Sequence, residues 1–306
     1  MAKLACIIVT YNRFKKLQKA LAAYAQQTTL PDFLIVVNNN SMDEATQNYL
    51  DVWEQEKLGA TKKVVLAFED NKGSAGGFVA GCKKALALGA EWIWLAPDDA
   101  YPEADALDQA QKFLNNEKLP EDVVAICGSV YEKDKLALNH RQRYQAKLWS
   151  FKHAPVPEAE YAQPSFDVQL CSAVGLIIKA DILEDLGHVE PAYFIYATDL
   201  GYSYKLSQQG QIMCLPELKV QHDPDEMAIT ETTAVDWRYY YQVRNYFYFL
   251  KTFFPVAYRL EWNQTHSKTR LKMMAGRDIQ KNSVLLKALE DARLDRMGLC
   301  KTYRPR

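Results

Sequence analysis

The stretch WIWLAPDDAYP, residues 92–102, is apolar up to Ala96 and then reaches two adjacent carboxylates, Asp98 and Asp99. A short, continuous apolar run is typical of a strand that is buried on both faces of a parallel sheet. Neighbouring carboxylates repel each other unless a cation or a hydrogen-bonding ligand lies between them and a partner. The stretch therefore predicts a buried strand with a binding site at its carboxyl end, and the alternative is an acidic turn in solvent.

Three more apolar runs precede this strand: LACIIV (4–9), FLIVV (33–37) and VVLAF (64–68). Between the runs, apolar residues recur at three- and four-residue spacing, which predicts crossover helices. These residues are Phe14, Leu17, Leu21, Tyr24 and Ala25 in the first helix and Phe78, Cys82, Ala85 and Leu86 in the third. Ser41 and Glu44 form a capping-box pattern at the start of the second helix. The first hundred residues thus predict βαβαβαβ, an open, mostly parallel α/β sheet.

Polar segments follow all four predicted strands: TYN (10–12), NNNS (38–41), EDNKGSAGG (69–77) and PDD (97–99). Open α/β sheets bind ligands outside the carboxyl ends of their strands, so the four segments predict one binding crevice. The glycines of the third segment would let a phosphate or a sugar approach backbone N–H groups at a helix start. The first strand runs into TYNRF instead of GxGxxG, which argues against a Rossmann dehydrogenase.

The second half of the chain places further candidate residues at the boundaries of predicted elements. Residues 171–187 predict a strand and a short helix, and residues 193–210 predict a loop that enters a helix near Asp199. The run IMCLPELKVQHDP predicts a strand that ends at His222. Residues 237–254 hold ten aromatic side chains, which polar and charged residues interrupt too often for a membrane span. This segment therefore predicts a core-facing or interfacial helix.

The composition is that of a globular protein, with 48% hydrophobic and 25% charged residues in a chain of 306. No apolar run reaches eighteen residues and no secretory signal is recognisable, so we expect a cytoplasmic protein. The six cysteines are scattered without a CxxC pair, which favours reduced core thiols over zinc ligands or disulfides.

Charge is distributed unevenly along the chain. From Lys251 onward, 13 Lys and Arg residues stand against 5 Asp and Glu residues, a net charge of +8, which leaves −9 for the first 250 residues. A basic, partly amphipathic tail favours peripheral contact with anionic lipid at the inner face of the cell membrane, and the alternative is a solvated charged face. We expect no nucleic-acid partner.

Several motifs stand in a distinctive order along the chain: IIVTYNR (7–13), QT (27–28) before LPDFLIVVNNNSMD (30–43), NKGSAGGFVAG (71–81), WIWLAPDDAYP (92–102), SAVGLIIKADILEDLG (172–187), FIYATDLGYSYKL (194–206), VQH (220–222) and YYYQVRN (239–245). This order resembles the family 2 glycosyltransferases of the GT-A fold. Within that family, the motifs most resemble those of bacterial galactofuranosyl- and rhamnosyltransferases that build surface polysaccharides. The resemblance implies a GT-A domain over residues 1–250, divided into a nucleotide-sugar-binding half (1–125) and an acceptor-binding half (126–250), with a basic helical tail over residues 251–306.

The resemblance implies an inverting, metal-dependent transfer of a sugar from a nucleoside diphosphate to a hydroxyl of a saccharide or lipid-linked saccharide. UDP-galactofuranose is the first donor hypothesis and TDP-rhamnose the second. A homologue that binds nucleotide or glycan without catalysis is the rival, prompted by departures from the family pattern at Asn38, Pro97 and Gly201. A nucleotidyltransferase is disfavoured because its glycine-rich loop is missing after the first strand.

The resemblance also implies roles for individual residues. Asp99 and His222 would bind Mn²⁺ or Mg²⁺, and Asp199 would accept the proton of the acceptor hydroxyl, although an aspartate there is also a good helix N-cap. The expected nucleotide-sugar contacts are Thr10, Tyr11, Asn12 and Asn38 for the base, Asp98 for the ribose or the metal, Asn71, Gly76 and Gly77 for the sugar or diphosphate, and Arg244 for the leaving phosphates.

Overall fold

A computed structural model describes residues 1–117, 119–186, 191–225 and 237–304. The strands in these ranges are β1 (Leu4–Thr10), β2 (Phe33–Asn38), β3 (Lys62–Ala67), β4 (Trp92–Pro97), β5 (Ala100–Pro102), β6 (Val123–Glu132), β7 (Lys135–Leu136), β8 (Arg141–Lys147), β9 (Ser150–Pro155), β10 (Phe166–Val168), β11 (Leu170–Cys171), β12 (Leu176–Lys179) and β13 (Gln211–His222). The α-helices are α1 (Phe14–Ala25), α2 (Glu44–Gln55), α3 (Gly73–Ala87), α4 (Ala106–Leu114), α5 (Ala180–Leu186), α6 (Thr198–Ser207), α7 (Trp237–Phe253), α8 (Pro255–Met274) and α9 (Ile279–Arg293).

One large sheet organises the chain, in the order β10-β13-β6-β12-β4-β1-β2-β3. Strands β3, β2, β1 and β4 are mutually parallel, and this confirms the βαβαβαβ arrangement predicted for the first hundred residues. Strand β12 runs antiparallel to both β4 and β6, whereas β13 is parallel to β6. Short β5 pairs with the end of β13, and β11, β8 and β9 form a small separate sheet.

Both faces of the large sheet are covered, which explains why its strands are apolar at consecutive positions. In β1, Ile7 and Val9 pack on the side of α3, whereas Cys6 and Ile8 pack on the side of α1. Helix α3 lies very close to β1, because a Cβ atom placed on Gly77 would be 2.5 Å from Val9. The predicted strands are therefore a true core layer.

Helix α2 begins differently from the prediction. Asp43 is its N-cap, and Asp43 Oδ1 accepts a hydrogen bond from the backbone N–H of Thr46 at 2.7 Å. The predicted capping box of Ser41 and Glu44 is wrong, because Ser41 Oγ instead accepts from the backbone N–H of Asn12 at 3.1 Å. Ser41 thus connects the loop after β2 with the loop after β1.

The C-terminal helices pack on one another. Tyr240, Tyr241, Phe249 and Leu250 of α7 are buried, so the aromatic helix is core-facing, as one of the two predicted alternatives has it. Helix α9 packs on α7 and also on α8. Within the described ranges, none of the helices is both long and apolar enough to span a membrane. All six cysteines are free thiols, and five of them are buried, in agreement with the prediction.

Candidate active site

A cavity of about 600 Å³ lies at the carboxyl ends of β1 and β4. Its walls come from both halves of the chain, including the loop before α6 and the end of β13. Eight of the twelve residues that the sequence nominates line this cavity: Thr10, Tyr11, Asn12, Asn71, Asp98, Asp99, Asp199 and His222. The other four, Asn38, Gly76, Gly77 and Arg244, lie elsewhere.

An acidic pair forms one side of the cavity. Asp98 is buried, and it accepts hydrogen bonds from Thr10 Oγ1 at 2.7 Å and from Arg13 Nη1 at 2.8 Å. These contacts follow from the pairing of β1 with β4, which places Val9 beside Pro97. Burial raises the pKa of Asp98 to about 6, although the nearby Arg13 guanidinium lowers it. The sequence prediction did not include Arg13, although it directly follows the polar tip of β1.

Asp99 faces His222 because β5 pairs with the last residues of β13. In this register Ala100 lies opposite His222, and the backbone N–H of Asp223 donates to the carbonyl of Asp99 at 2.9 Å. Asp99 Oδ1 is 3.6 Å from His222 Nε2. Among the described residues, no group donates a hydrogen bond to this buried oxygen. A buried polar atom without a partner is costly, so the space in front of Asp99 Oδ1 is suited to a ligand.

Two residues missed by the sequence prediction surround His222 on its other side. Glu132 Oε1 lies 2.8 Å from His222 Nδ1 and 3.1 Å from His140 Nε2. His140 Nδ1 in turn contacts Ser172 Oγ at 2.7 Å. Hydrogen bonds from the two histidines bring the pKa of Glu132 below its ordinary value, against the opposite effect of burial. No local motif marks Glu132 or His140, because long-range strand pairing brings them to His222.

These atoms fit a divalent cation. Oxygen and imidazole nitrogen are common ligands of such ions, and bonds of about 2.0–2.2 Å place two ligand atoms of one ion about 3.0–3.6 Å apart. The separation of Asp99 Oδ1 and His222 Nε2, 3.6 Å, is at the upper end of that range. The unpartnered oxygen and the facing nitrogen therefore suit a shared metal ion.

Asp199 lies in the first turn of α6 and is not its N-cap. The N-cap position is Ala197, and Asp199 Oδ2 instead accepts a hydrogen bond from the backbone N–H of Ala173 at 3.2 Å. The alternative interpretation of Asp199 as a helix cap is therefore wrong. Burial raises the pKa of this carboxyl, while the hydrogen bond from Ala173 lowers it. A half-buried carboxylate with a raised pKa that faces a cavity is well suited to accept a proton.

The loop before Asp199 has an unusual backbone. Phe194, Tyr196 and Ala197 all have positive φ angles, of 65°, 62° and 52°. Residues other than glycine adopt this left-handed region at a cost, and the surrounding structure must hold them there. The loop is therefore held in place by contacts outside itself.

Arg244 and Asn245 of α7 supply those contacts. Asn245 Nδ2 donates to the carbonyls of Ile195 and Tyr196 at 2.7 and 2.8 Å, and Arg244 Nη2 donates to the carbonyl of Tyr193 at 3.0 Å. Arg244 is completely buried. This position corrects the prediction that Arg244 reaches the leaving phosphates, because its guanidinium is occupied in supporting the loop.

The three other residues that the sequence nominates and that do not line the cavity are Asn38, Gly76 and Gly77, and each of them contacts other parts of the protein. Asn38 is buried and does not line the cavity, and its Oδ1 accepts a hydrogen bond from the backbone N–H of Ser41 at 2.8 Å. Gly77 faces Val9 of β1, and Gly76 faces Lys72, the N-cap residue of α3. The predictions that these three residues contact the nucleotide sugar are not supported by their positions.

Asn39, rather than Asn38, reaches the cavity. Asn39 Nδ2 donates to Asn71 Oδ1 at 2.9 Å, and Asn71 Oδ1 also accepts from the backbone N–H of Gly73 at 2.8 Å. Consecutive side chains of a strand point to opposite sides, so an error of one residue selects the wrong asparagine. The asparagine pair joins the loops after β2 and β3 at the start of α3.

The sequence matches the family described as Glycosyl transferase family 2 over residues 5–187, more than half of the chain. It is 38% identical over 97 residues to a Mycobacterium tuberculosis (strain H37Rv) protein named galactofuranosyltransferase GlfT1, and 41% identical over 96 residues to the protein of that name from Mycolicibacterium smegmatis. These alignments cover 32% and 31% of this chain, and 30% of the length of each relative.

Solved glycosyltransferase structures share the fold at low sequence identity. The structure of GalNAc-T7 with UDP, GalNAc and Mn²⁺ has a TM-score of 0.65 and 14% identity, and the match covers 96% of this chain and 55% of that one. Residues 1–349 of Staphylococcus aureus TarS, in complex with UDP-GlcNAc, match with a TM-score of 0.57 and 17% identity over 81% of this chain and 66% of theirs. The GT-A fold predicted from the sequence is thereby confirmed.

Proposed function

The chain belongs to glycosyl transferase family 2, and we propose that it is a glycosyltransferase that moves a sugar, with inversion, from a nucleoside diphosphate to a saccharide hydroxyl. UDP-galactofuranose is the proposed donor, supported by the partial alignment with proteins named galactofuranosyltransferases. The observation that carries the proposal is that Asp99, His222 and Asp199 line one cavity.

The acceptor side of the reaction depends on Asp199. In the proposed step, the acceptor hydroxyl transfers its proton to the Asp199 carboxylate while its oxygen bonds to the anomeric carbon of the donor sugar. The bond from that carbon to the diphosphate oxygen breaks on the opposite face, which inverts the configuration. The hydrogen bond from Ala173 orients the carboxylate for this role. General-base catalysis of this kind contributes about 10²–10⁴-fold to a rate.

The donor side depends on Asp99 and His222, which would hold Mn²⁺ or Mg²⁺. A divalent ion, when bound, neutralises the negative charge that develops on the leaving diphosphate. Thr10 and Arg13 hold Asp98 in place beside this site. We assign the nucleotide to the part of the cavity lined by Tyr11 and Asn12, next to the asparagine pair.

The acceptor is proposed to be a saccharide or a lipid-linked saccharide of a bacterial surface polysaccharide, met at the inner face of the membrane. The exposed side of α8 supports membrane contact, because it carries Leu260, Leu271 and Met274 with exposed fractions of 54%, 65% and 81%. Exposed basic residues accompany them along the same helix: Arg259, Lys268, Arg270 and Lys272. Apolar side chains among basic ones are typical of helices that bind anionic lipid surfaces.

Transfer assays with a panel of nucleotide sugars test the function. UDP-galactofuranose and TDP-rhamnose are incubated with saccharide acceptors and Mn²⁺, with and without EDTA, and the product is examined by NMR for its anomeric configuration. We expect transfer with inversion that EDTA abolishes. Full activity in EDTA would contradict the metal role, and retained configuration would contradict direct displacement. Nucleotide binding by calorimetry without product from any donor would favour the rival binding protein.

Vesicle flotation tests the membrane contact separately. We expect the protein to float with vesicles containing phosphatidylglycerol at low salt and to float less with pure phosphatidylcholine, because screening and loss of anionic lipid weaken the attraction. The double substitution Leu260→Gln and Leu271→Gln should reduce flotation, whereas Val52→Gln, an exposed position of α2, should not. Equal flotation of all three proteins would contradict the role of α8.

A further inference from the structure

Glu132 and His222 stand side by side because β6 and β13 are parallel neighbours. The register pairs Tyr131 with Gln221, so the next residue of each strand lies at the same level. Glu132 Oε1 receives contacts from His222 Nδ1 at 2.8 Å and from His140 Nε2 at 3.1 Å. One carboxylate oxygen thus holds two imidazoles.

The chemistry of Glu132 fixes the proton positions on His222. An ionised carboxylate only accepts hydrogen bonds, so the nitrogen that contacts it must carry the hydrogen. In its neutral form, His222 would therefore carry its proton on Nδ1, and the lone pair of Nε2 would point toward Asp99 Oδ1. Those two acceptors face each other at 3.6 Å, an arrangement that a cation between them would stabilise.

We propose that Glu132 is a positioning residue that fixes the tautomer and the ring orientation of His222, so that Nε2 and Asp99 Oδ1 bind one divalent cation. The inference rests on the proposed function, because it concerns the metal ion of that site. His140 completes the arrangement by holding Glu132 against His222, and Ser172 holds His140 in turn. A carboxylate behind a metal-binding histidine raises the basicity of the ligand and fixes its direction.

A different arrangement would place the ion among Glu132, His140 and His222 themselves, since their ligand atoms lie within 4.8 Å of one another. The distances argue against it. The 2.8 Å between Glu132 Oε1 and His222 Nδ1 is a hydrogen-bond length, shorter than the separation of about 3.0 Å or more that two ligands of one ion adopt. Asp99 Oδ1, which receives no hydrogen bond from the described residues, lies on the other side of His222.

Mn²⁺ binding measured without any sugar donor tests the inference. The free ion is followed by electron paramagnetic resonance in titrations of the full chain and of Glu132→Ala, Glu132→Gln and Asp99→Asn. We expect Glu132→Ala to weaken binding by about 10- to 100-fold, as loss of such an outer carboxylate does. Glu132→Gln should lose less, because its amide oxygen still accepts one N–H. Glu160→Gln, which removes a surface partner of Arg143 in the small sheet region, should bind as the unmodified chain does.

Nitrogen-15 NMR of the histidine side chains provides a second readout that does not need metal. His222 should show the Nδ1–H form in the unmodified chain and a mixture of tautomers in Glu132→Gln. Unchanged Mn²⁺ affinity in Glu132→Ala would overturn the inference while leaving the metal role intact. A loss equal to that of Asp99→Asn would also overturn it, because Glu132 would then be a direct ligand. An unmodified chain that does not bind Mn²⁺ would instead contradict the metal-dependent function itself.

Discussion

Arg13 donates a hydrogen bond to Oδ2 of Asp99 at 2.7 Å and leaves Oδ1 of the same carboxylate facing His222. The same guanidinium nitrogen also contacts Asp98, and the other terminal nitrogen contacts Asp225. Arg13 is thus the cation that allows two adjacent carboxylates to be buried together at the end of β4. Arg13 thus pairs with one oxygen of Asp99, while the other oxygen receives no hydrogen bond from the described residues.

Replacing Arg13 by methionine should destabilise the chain most at neutral and alkaline pH. Removing one partner from a largely buried ion pair leaves unpaired charge, and partial exposure of Arg13 reduces the loss to about 2 kcal/mol. The pKa of Asp98, about 6, should rise further without the guanidinium. At pH 5 the Asp98 carboxyl is then neutral, so the loss of stability caused by Arg13→Met should be smaller at that pH. Thermal unfolding of Arg13→Met and the charge-preserving Arg13→Lys at pH 5 and pH 8 checks this. A pH-independent difference would contradict it.

Replacing Asp199 by asparagine should lower the turnover number by about 10²-fold or more, because the amide cannot accept a proton. Burial raises the pKa of Asp199, and a general base works only when ionised. Exposed aspartates titrate at about pH 4, and the rate of the unmodified chain should rise with pH in a range above that value. A profile of turnover number against pH, measured at saturating donor, shows this rise. Near-normal turnover by Asp199→Asn would show that another group is the base.

Asp199→Asn should also be more stable than the unmodified chain at neutral pH. Folding raises the pKa of this acid, so the acid favours the unfolded chain once it ionises. The destabilisation begins as the pH passes the pKa of the unfolded chain and is complete above the pKa of the folded chain. Asparagine carries no charge and can still accept the hydrogen bond from Ala173. The difference in free energy of unfolding should therefore disappear below about pH 4. Denaturant titrations at both pH values test this, and a less stable variant at pH 7 would contradict it.

Replacing Asn245 by alanine should disturb the loop that presents Asp199. The carbonyls of Ile195 and Tyr196 would lose a buried donor, at a cost of about 2 kcal/mol. Phe194, Tyr196 and Ala197 would then be free to leave their left-handed conformations. We expect the turnover number to fall about 10- to 100-fold, while Mn²⁺ affinity is unchanged. Thr252→Ala, which removes an exposed hydroxyl from the same helix, is the control. Equal kinetics of the two variants would show that Asn245 does not position the loop.

The sequence predicted the parts of the fold that local patterns encode. Apolar runs and helical spacing located the strands and helices of the first half, and the polar tips located the crevice. The side of the strand to which each side chain points was harder to predict. Asn38 and Asn39 are neighbours in the sequence, and only the observed end of β2 shows which of them reaches the cavity. Similarly, Asp43 rather than Ser41 caps α2, because Ser41 is used by the neighbouring loop.

Residues that long-range pairing brings together could not be predicted. Glu132 meets His222 through the register of β6 with β13, and that register shifts between Leu215 and Lys219. A period-two pattern cannot reveal such an irregularity in advance. Arg244 was misassigned for a related reason. Its position within an aromatic helix was evident, but the carbonyls it would meet depend on how the loop before α6 is folded.

Gly73 lies between the asparagine pair Asn39 and Asn71 and the loop before Asp199, and replacing it by alanine should disrupt both. Its φ is +72°, and an added Cβ would lie 2.0 Å from the carbonyl oxygen of Phe194. Gly89 has a similar φ of +79° but no neighbour within 4 Å among the described residues, so Gly89→Ala measures the backbone strain alone, about 1 kcal/mol. Because a backbone atom must move, Gly73→Ala should lose about 1–3 kcal/mol more of the free energy of unfolding than Gly89→Ala does. Gly73→Ala should also lower the turnover number, whereas Gly89→Ala should leave the turnover number unchanged. Chemical denaturation and transfer assays on both variants test this. Equal losses of stability with normal turnover would show that the contact between Gly73 and Phe194 does not constrain the active-site loop.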